Sequence, residues 1–507
     1  MSSNDNRCKR GPIDLSAEEF RAAGHQLVDQ IADFFESLPD RPITPNTSPG
    51  TIREIIGSGG LPRHGKSVNT LLNEVAPLLF DHSLHNGSPN FYGYISSSGA
   101  PLGALSDLLA AAVNANVGKW DLSPIASEIE AQTIRWLAEL IGYDPRCGGL
   151  MVSGGNMANF VAFVAARCAK SPWNIREKGV AGDTRRLTAY CSRETHTWIQ
   201  KAADVTGIGT EALRWIATDN EQRLLPDALR EQIERDTADD CVPFIVIGTA
   251  GSVSTGAVDG LPVLHEIAKT CGAWFHVDGA YGAPAAVLEE ADEQLLGLQL
   301  ADSVALDPHK WLYSPIEAAC TLVRDRQHLL DAFSYRPPYY RIDDDADDNA
   351  NDYFELGMQN SRGFRALKVW LSLRHLGREG YERLIREDIE LAAQLHAAAG
   401  AHDEIEAFTC NLSITTFRFV PIDLQPARVA NTDYLNELNE ALVEQLQLGG
   451  DVYVSNAIID GTYLLRACIV NFRTTAEDVA ALPEKIARVG RRLDVSMRSG
   501  QRENRQV

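Results

Sequence analysis

Between about residues 100 and 380, stretches with helical apolar spacing alternate with short runs of β-branched and aromatic residues. Residues 103–116, 125–141 and 157–170 read as helices; residues 187–190, 244–247, 274–277 and 303–306 read as strands. Such alternation predicts an α/β domain with a mostly parallel sheet. Ligands of these sheets collect at the carboxyl ends of the strands. Two residues with chemistry to offer fall at such ends: Asp278 follows one run and Lys310 another.

The flanks read differently. Residues 14–38 form a helix, with Phe20, Ala23, Leu27, Ile31, Phe34 and Phe35 at helical spacing. Pro39, Pro42, Pro45 and Pro49 then force an extended connection, and a second helix over 68–76 stops at Pro77. Beyond residue 382 the pattern is that of a smaller α+β domain, with strands at 414–419 and 463–469 and a closing helix at 476–493. Residues 1–12 and the tail from Arg498 are polar, and the first twelve are expected to be disordered. The division is an N-terminal helical segment (1–100), a large domain (101–381) and a small C-terminal domain (382–507).

Composition narrows the function classes. At 44% hydrophobic and 23% charged residues, the 507-residue chain has the make-up of a soluble globular protein. A net charge of −22 speaks against nucleic acid and anionic membrane as partners. No apolar run is long enough to span a bilayer, and no signal-like segment opens the chain. Nine dispersed cysteines without a CxxC pair point to reduced thiols and a cytoplasmic protein.

Lys310 lies in Asp307-Pro308-His309-Lys310-Trp311, placed to form an imine with an aldehyde cofactor. Asp278 ends Trp274-Phe275-His276-Val277-Asp278. Together they read as a pyridoxal 5′-phosphate (PLP) site, with the lysine carrying the cofactor and the aspartate keeping its ring nitrogen protonated. Ser153-Gly154-Gly155-Asn156 precedes a helix, where free backbone N–H groups attract phosphate. A second phosphate motif, Gly60-Leu61-Pro62-Arg63-His64-Gly65-Lys66-Ser67, satisfies the P-loop pattern. It lacks the preceding buried strand a P-loop needs, and reads as an exposed link. His82 and His85 have no evident carboxylate or cysteine partner, so capping or core roles are expected and no metal site.

Further blocks occur in one order: Pro89-Asn90-Phe91-Tyr92-Gly93-Tyr94, Ser153-Gly154-Gly155-Asn156-Met157-Ala158-Asn159, Thr195-His196, His276-Val277-Asp278, Pro308-His309-Lys310-Trp311 and Ser361-Arg362-Gly363-Phe364-Arg365. With them the chain resembles the group II PLP-dependent amino-acid decarboxylases, and among these the aromatic-L-amino-acid decarboxylases. The resemblance implies the fold type I, aspartate-aminotransferase-like architecture with a seven-stranded sheet. It also implies a homodimer with its active site at the subunit interface.

Residue by residue, the resemblance implies that Gly155 and Asn156 take the phosphate and that Ala280 lies on one face of the ring. His196 would stack on the other and orient the substrate carboxylate, while His309 touches the cofactor or its phosphate. Tyr94 and Ser97 would line the substrate pocket. Trp311 resembles the aromatic branch, and Gly118 stands where relatives often carry a bulkier ring. Thr249 and Ser252 lie in a cofactor-proximal segment that departs from the family at Val253, which leaves their contacts open. Tyr353 falls at the place of a mobile-loop tyrosine that returns a proton after carbon dioxide leaves. Relatives with phenylalanine there make an aldehyde instead, and Phe354 is one position away. The aspartate-rich residues 343–352 read as a solvated part of the same loop. The expected activity is decarboxylation of an L-amino acid, aromatic by resemblance, to the amine. The alternatives are an aromatic aldehyde synthase on the same scaffold, a nucleotide-binding ATPase built on residues 60–67, and a catalytically silent cofactor-binding protein.

Overall fold

The computed structural model describes residues 13–336 and 351–504. The chain opens with α1 (Ala17–Ser37), started by a capping box in which Ser16 and Glu19 satisfy each other's backbone N–H. Next come α2 (Pro49–Ile56) and α3 (Val68–His82), capped by Ser48 and Ser67. The expectation that Pro77 ends the second helix is corrected, for α3 runs on to His82. Tertiary contacts hold the turn beyond the proline. Phe80 stacks on Phe34 at 4.5 Å, and its carbonyl accepts from Arg41 at 3.1 Å.

The P-loop pattern lies on the link between α2 and α3, so a helix precedes it and not a strand. Lys66 is paired with Glu74 at 2.6 Å, and the Ser67 hydroxyl accepts from Thr70 N at the helix cap. The His82 ring contacts the Thr47 hydroxyl, and His85 sits between the carbonyls of Pro42 and Phe80. No metal-binding cluster occurs among the described residues.

The strands in chain order are β1 (Phe91–Tyr92), β2 (Gly148–Val152), β3 (Leu187–Ser192), β4 (Leu213–Ile216), β5 (Val242–Thr249) and β6 (Trp274–Asp278). They continue with β7 (Ser303–Leu306), β8 (Ala319–Val323), β9 (Ile405–Asn411), β10 (Ile414–Phe419), β11 (Tyr453–Ile459) and β12 (Thr462–Cys468). Seven of them make the large sheet, in the order β2-β8-β7-β6-β5-β3-β4. β4, β3, β5, β6 and β7 pair in parallel, and β8 is antiparallel to both of its neighbours. This is the mostly parallel, seven-stranded sheet the resemblance implies. Helices α4 (Pro101–Val113), α5 (Pro124–Leu140) and α6 (Gly155–Lys170) belong to the same region. β2, β4 and β8 escaped the sequence pattern, because brief apolar runs carry no period that separates strand from helix.

The small sheet has the order β1-β11-β12-β10-β9. β1 pairs in parallel with β11, so residues 91–92 of the N-terminal part complete a C-terminal sheet. The helix Ala366–Gly400 runs through residue 381 and is kinked at Gly377, where φ is 64°. The closing helix, expected to stop at residue 493, extends over Ala476–Asn504. Arg498 explains the extra turns, pairing with Asp423 at 2.5 Å and with Asp494 at 2.7 Å.

Arg362 ties the segment after residue 351 into the core. Its guanidinium meets Glu130 at 2.5 Å and donates to the carbonyls of Val117 and Met151; neither charged side chain is more than 1% exposed. Glu130 in turn accepts from Met151 N at 2.9 Å. Removing one partner strands the other charge in the interior. Glu130→Ala is therefore expected to lower the unfolding free energy by about 3–5 kcal/mol in urea denaturation. The double change Glu130→Met with Arg362→Met is expected to recover most of that loss.

Candidate active site

Register at the edge of the large sheet sets the geometry. Asp278, the last residue of β6, pairs with Thr249 at the end of β5 and with Ala305 of β7. The chain leaves β7 at Leu306 and turns at once, with Lys310 N donating to Asp307 O at 2.9 Å. That turn swings Lys310 back over the strand ends. β2 delivers Gly154 and Gly155 to the same edge, where α6 begins, and β3 delivers His196 just past its end. A cavity of about 310 Å³ opens there. Its walls include Gly155, Asn156, His196, Asp278, Ala280, His309 and Lys310, so all seven proposed cofactor residues meet in one place.

Lys310 Nζ lies 3.0 Å from Asp307 Oδ2, and the Asp307 side chain is 1% exposed. Burial opposes the ammonium, yet Asp307 and then Asp278 outweigh it and hold the pKa above the ordinary lysine value. Asp278 accepts from the indole N–H of Trp198 at 2.7 Å and from Ala280 N at 3.2 Å. Its carboxylate is thereby aimed while one edge still borders the cavity. His309 Nδ1 lies 2.6 Å from the Ala318 carbonyl oxygen, and burial pulls its pKa down. His276, fully buried, is held between Ser303 and Asn159 at 2.8 and 2.7 Å. Burial drives its pKa down to about 4, which leaves it a neutral strut between β7 and α6.

Two wall residues were missed or left open by sequence reasoning. Asp307 stands three positions before Lys310, and that i, i+3 spacing inside the motif was the available signal. A Cβ at Gly155 would fall 2.5 Å from Asp307 Oδ2, so only glycine lets the carboxylate approach the start of α6. Thr249 lines the cavity, and its buried hydroxyl has no hydrogen-bond partner among the described residues. Ser252 spends its hydroxyl on Thr255 at 3.0 Å. Thr249, and not Ser252, therefore stands on the cavity wall.

Other expected residues stand elsewhere. Tyr94 is exposed with φ of 52°; its N–H donates to Ser455, and its neighbour Ile95 is the wall residue. Ser97 lies behind the wall, donating to the His309 carbonyl at 3.0 Å. Trp311 faces away from the cavity and stacks on Tyr281 at 4.9 Å. Gly118 does not widen a pocket: a Cβ there would sit 2.0 Å from the Asn360 carbonyl oxygen, so close backbone approach explains the glycine.

Tyr353 is the main departure from expectation. It is not on a mobile loop at the cavity but on a short helical turn, Tyr353–Glu355, and is 2% exposed. The Arg362 guanidinium lies 4.8 Å from its ring centre, and the next amide, Phe354 N, donates to the Gly118 carbonyl. Residues 343–350 of the aspartate-rich stretch lie outside the described residues; Asp352 accepts from Trp120 N at 2.9 Å.

The wall suits PLP. It offers an amine, a buried carboxylate at the end of the adjacent strand, a hydroxyl without a partner among the described residues and a glycine cradle at a helix start.

Known proteins agree. The model of the pyridoxal-dependent decarboxylase conserved domain matches residues 49–419. An aromatic-L-amino-acid decarboxylase of Bacillus atrophaeus is 33% identical over 96% of this chain and 98% of its own. A phenylacetaldehyde synthase of Petunia hybrida is 30% identical over 91% of this chain and 92% of its own. The crystal structure of Oryza sativa TDC with PLP and tryptamine superposes with a TM-score of 0.88 at 27% identity, over 96% of this chain and 99% of that one. With its lysine, its carboxylate and its sheet edge all in place, the chain belongs to the pyridoxal-dependent decarboxylase family.

Proposed function

We propose that this PLP-dependent decarboxylase converts an aromatic L-amino acid to its amine and carbon dioxide. The observation that carries the reading is the meeting of Lys310 and Asp278 on one cavity at the ends of adjacent parallel strands. The aromatic preference is supported by relatives named for aromatic-L-amino-acid, tyrosine and tryptophan decarboxylation.

PLP supplies the electron sink that makes loss of carbon dioxide feasible. The chain's own residues do the rest. Lys310 Nζ would hold the cofactor through its aldehyde carbon. Asp278 keeps a proton on the ring nitrogen. Gly155 and Asn156 offer N–H groups to the phosphate, and Thr249 offers its hydroxyl. Ala280 and His196, both on the cavity wall, would flank the ring, and His196 would orient the substrate carboxylate. His309 supports the phosphate side, braced by Ser97. Ile95 borders the substrate's side of the cavity.

A homodimer is part of the proposal. α1, α3 and α4 line a groove of about 850 Å³ walled by apolar side chains. Phe20, Leu105 and Leu108 are each more than half exposed on it. A second copy of the chain would remove this surface from water. The eight described cysteines are all free, which suits a cytoplasmic protein. No helix among the described residues is long and apolar enough to cross a membrane.

The second reading, aldehyde synthesis, draws on the similarity to phenylacetaldehyde synthase. A substrate panel on the purified chain separates the two: amine and carbon dioxide in equal amounts are expected, without peroxide. Lys310→Ala should abolish both the absorbance of bound cofactor and carbon dioxide release while the chain stays folded by circular dichroism. Tyr353→Phe should leave the amine as product, because the phenol lies away from the cavity; a switch to aldehyde would return Tyr353 to the chemistry. Leu105→Glu combined with Leu108→Glu should halve the mass in light scattering, and an unchanged mass would refute the proposed interface.

A further inference from the structure

All three residues after Lys310 are tied to one helix. The Trp311 indole N–H donates to Asp388 Oδ2 at 2.8 Å, and the Tyr313 hydroxyl donates to the same oxygen at 2.7 Å. The Tyr381 hydroxyl, from the same helix Ala366–Gly400, donates to the Leu312 carbonyl at 3.3 Å. Asp388 is 3% exposed. Tyr313 holds φ of 54°, a left-handed conformation that a tyrosine adopts only when its surroundings impose it. Trp311 in turn stacks on Tyr281, a wall of the active-site cavity whose hydroxyl meets Ser413 at 2.6 Å. A carboxylate placed this deep is expensive to keep, and no cation among the described residues compensates it. An apolar side chain would fill the space at lower cost.

We propose that Asp388 is a positioning residue for Lys310: it clamps the Trp311–Tyr313 turn so that the lysine amine stays beside Asp307 and open to the cavity. The consequence for cofactor affinity rests on Lys310 being the cofactor lysine; the clamp itself does not.

Burial pushes the Asp388 carboxyl up to about 7, against the lowering effect of its two donors. The titratable groups facing it are Tyr313 on the turn, Tyr281 beneath Trp311, Cys468 on β12 and Glu387 on its own helix. Burial holds the two phenols and the thiol neutral well past that pH, so Asp388 is the member of the cluster that changes charge near neutrality. The folded value lies above the unfolded one. The native chain therefore binds the extra proton, and stability from this group is lost as pH rises from about 4 through about 7.

The test uses the full chain as wild type, D388A, D388N and, as a control, D236N. Asp236 is also a buried carboxylate that accepts from a tyrosine, Tyr190, but stands away from the cavity. Amide exchange of residues 307–314 is followed by mass spectrometry without cofactor, and PLP affinity is read from absorbance between about pH 6 and 8. D388A is expected to speed exchange at Lys310, Tyr313 and Ser314 and to weaken PLP binding, each about tenfold. D388N keeps an acceptor oxygen, so it should return both to within about twofold of wild type and make the affinity change less with pH than in the wild type. D236N should lower the melting temperature and leave both readouts alone. Wild-type exchange and affinity in D388A, or equal effects from D236N, would overturn the proposal. If the wild-type chain takes up no PLP, the cofactor reading falls, and the exchange data still decide the clamp.

Discussion

The chemistry of this chain depends on three parallel strands, β5, β6 and β7, ending in register. Backbone pairing sets Thr249 beside Asp278 and Asp278 beside Ala305. A slip of one residue in β6 would turn Asp278 to the opposite face of the sheet. Such a slip is opposed from both sides, since every residue of β6 and β7 is buried. With the strands in place, the turn after β7 needs only four residues to carry Lys310 back over their ends. Asp307, inside that turn, then balances the lysine's charge in an environment that would otherwise expel it.

The charged groups of the interior fall into two kinds. Arg362 and Glu130 form a closed pair, each also bonded to backbone groups, and they hold the segment after residue 351 against β2 and α5. Asp278, Asp307 and Lys310 are instead left with one edge on a cavity. Asp388 stands between the two kinds. It is sealed from solvent like the scaffold pair, yet its partners are the residues that directly follow the lysine. The helix that carries it begins near the large sheet and ends near the small one. Its position therefore links the lysine turn to both halves of the molecule.

Sequence motifs mixed these kinds together. Lys310 and Asp278 stood out by residue type at the end of a strand pattern, Gly155 by a glycine turn before a helix and His196 by resemblance, and all four border one cavity. Trp311, His276, Gly118 and Arg362 belong to the same motifs or neighbour them, but serve packing and backbone satisfaction. Motif membership does not say which way a side chain points. Tyr353 shows the consequence. Counting along the chain gave it a catalytic place, whereas a cation above its ring and a backbone bond to Gly118 bury the turn that holds it. Pro77 gives the converse case, where a local breaker was overruled by the Phe34–Phe80 stack.

The amino-acid order alone determined the alternating α/β pattern, the polarity of the strand ends and the presence of an amine and a carboxylate at two of them. These follow from local periodicity and residue type, which a linear chain carries in full. Folding in three dimensions decided which wall residues converge, that β1 completes a sheet more than 300 residues away, and that Asp307, Thr249 and Asp388 surround the lysine turn. Those are contacts between remote segments. Their energies depend on burial and distance, and neither exists until the strands have paired.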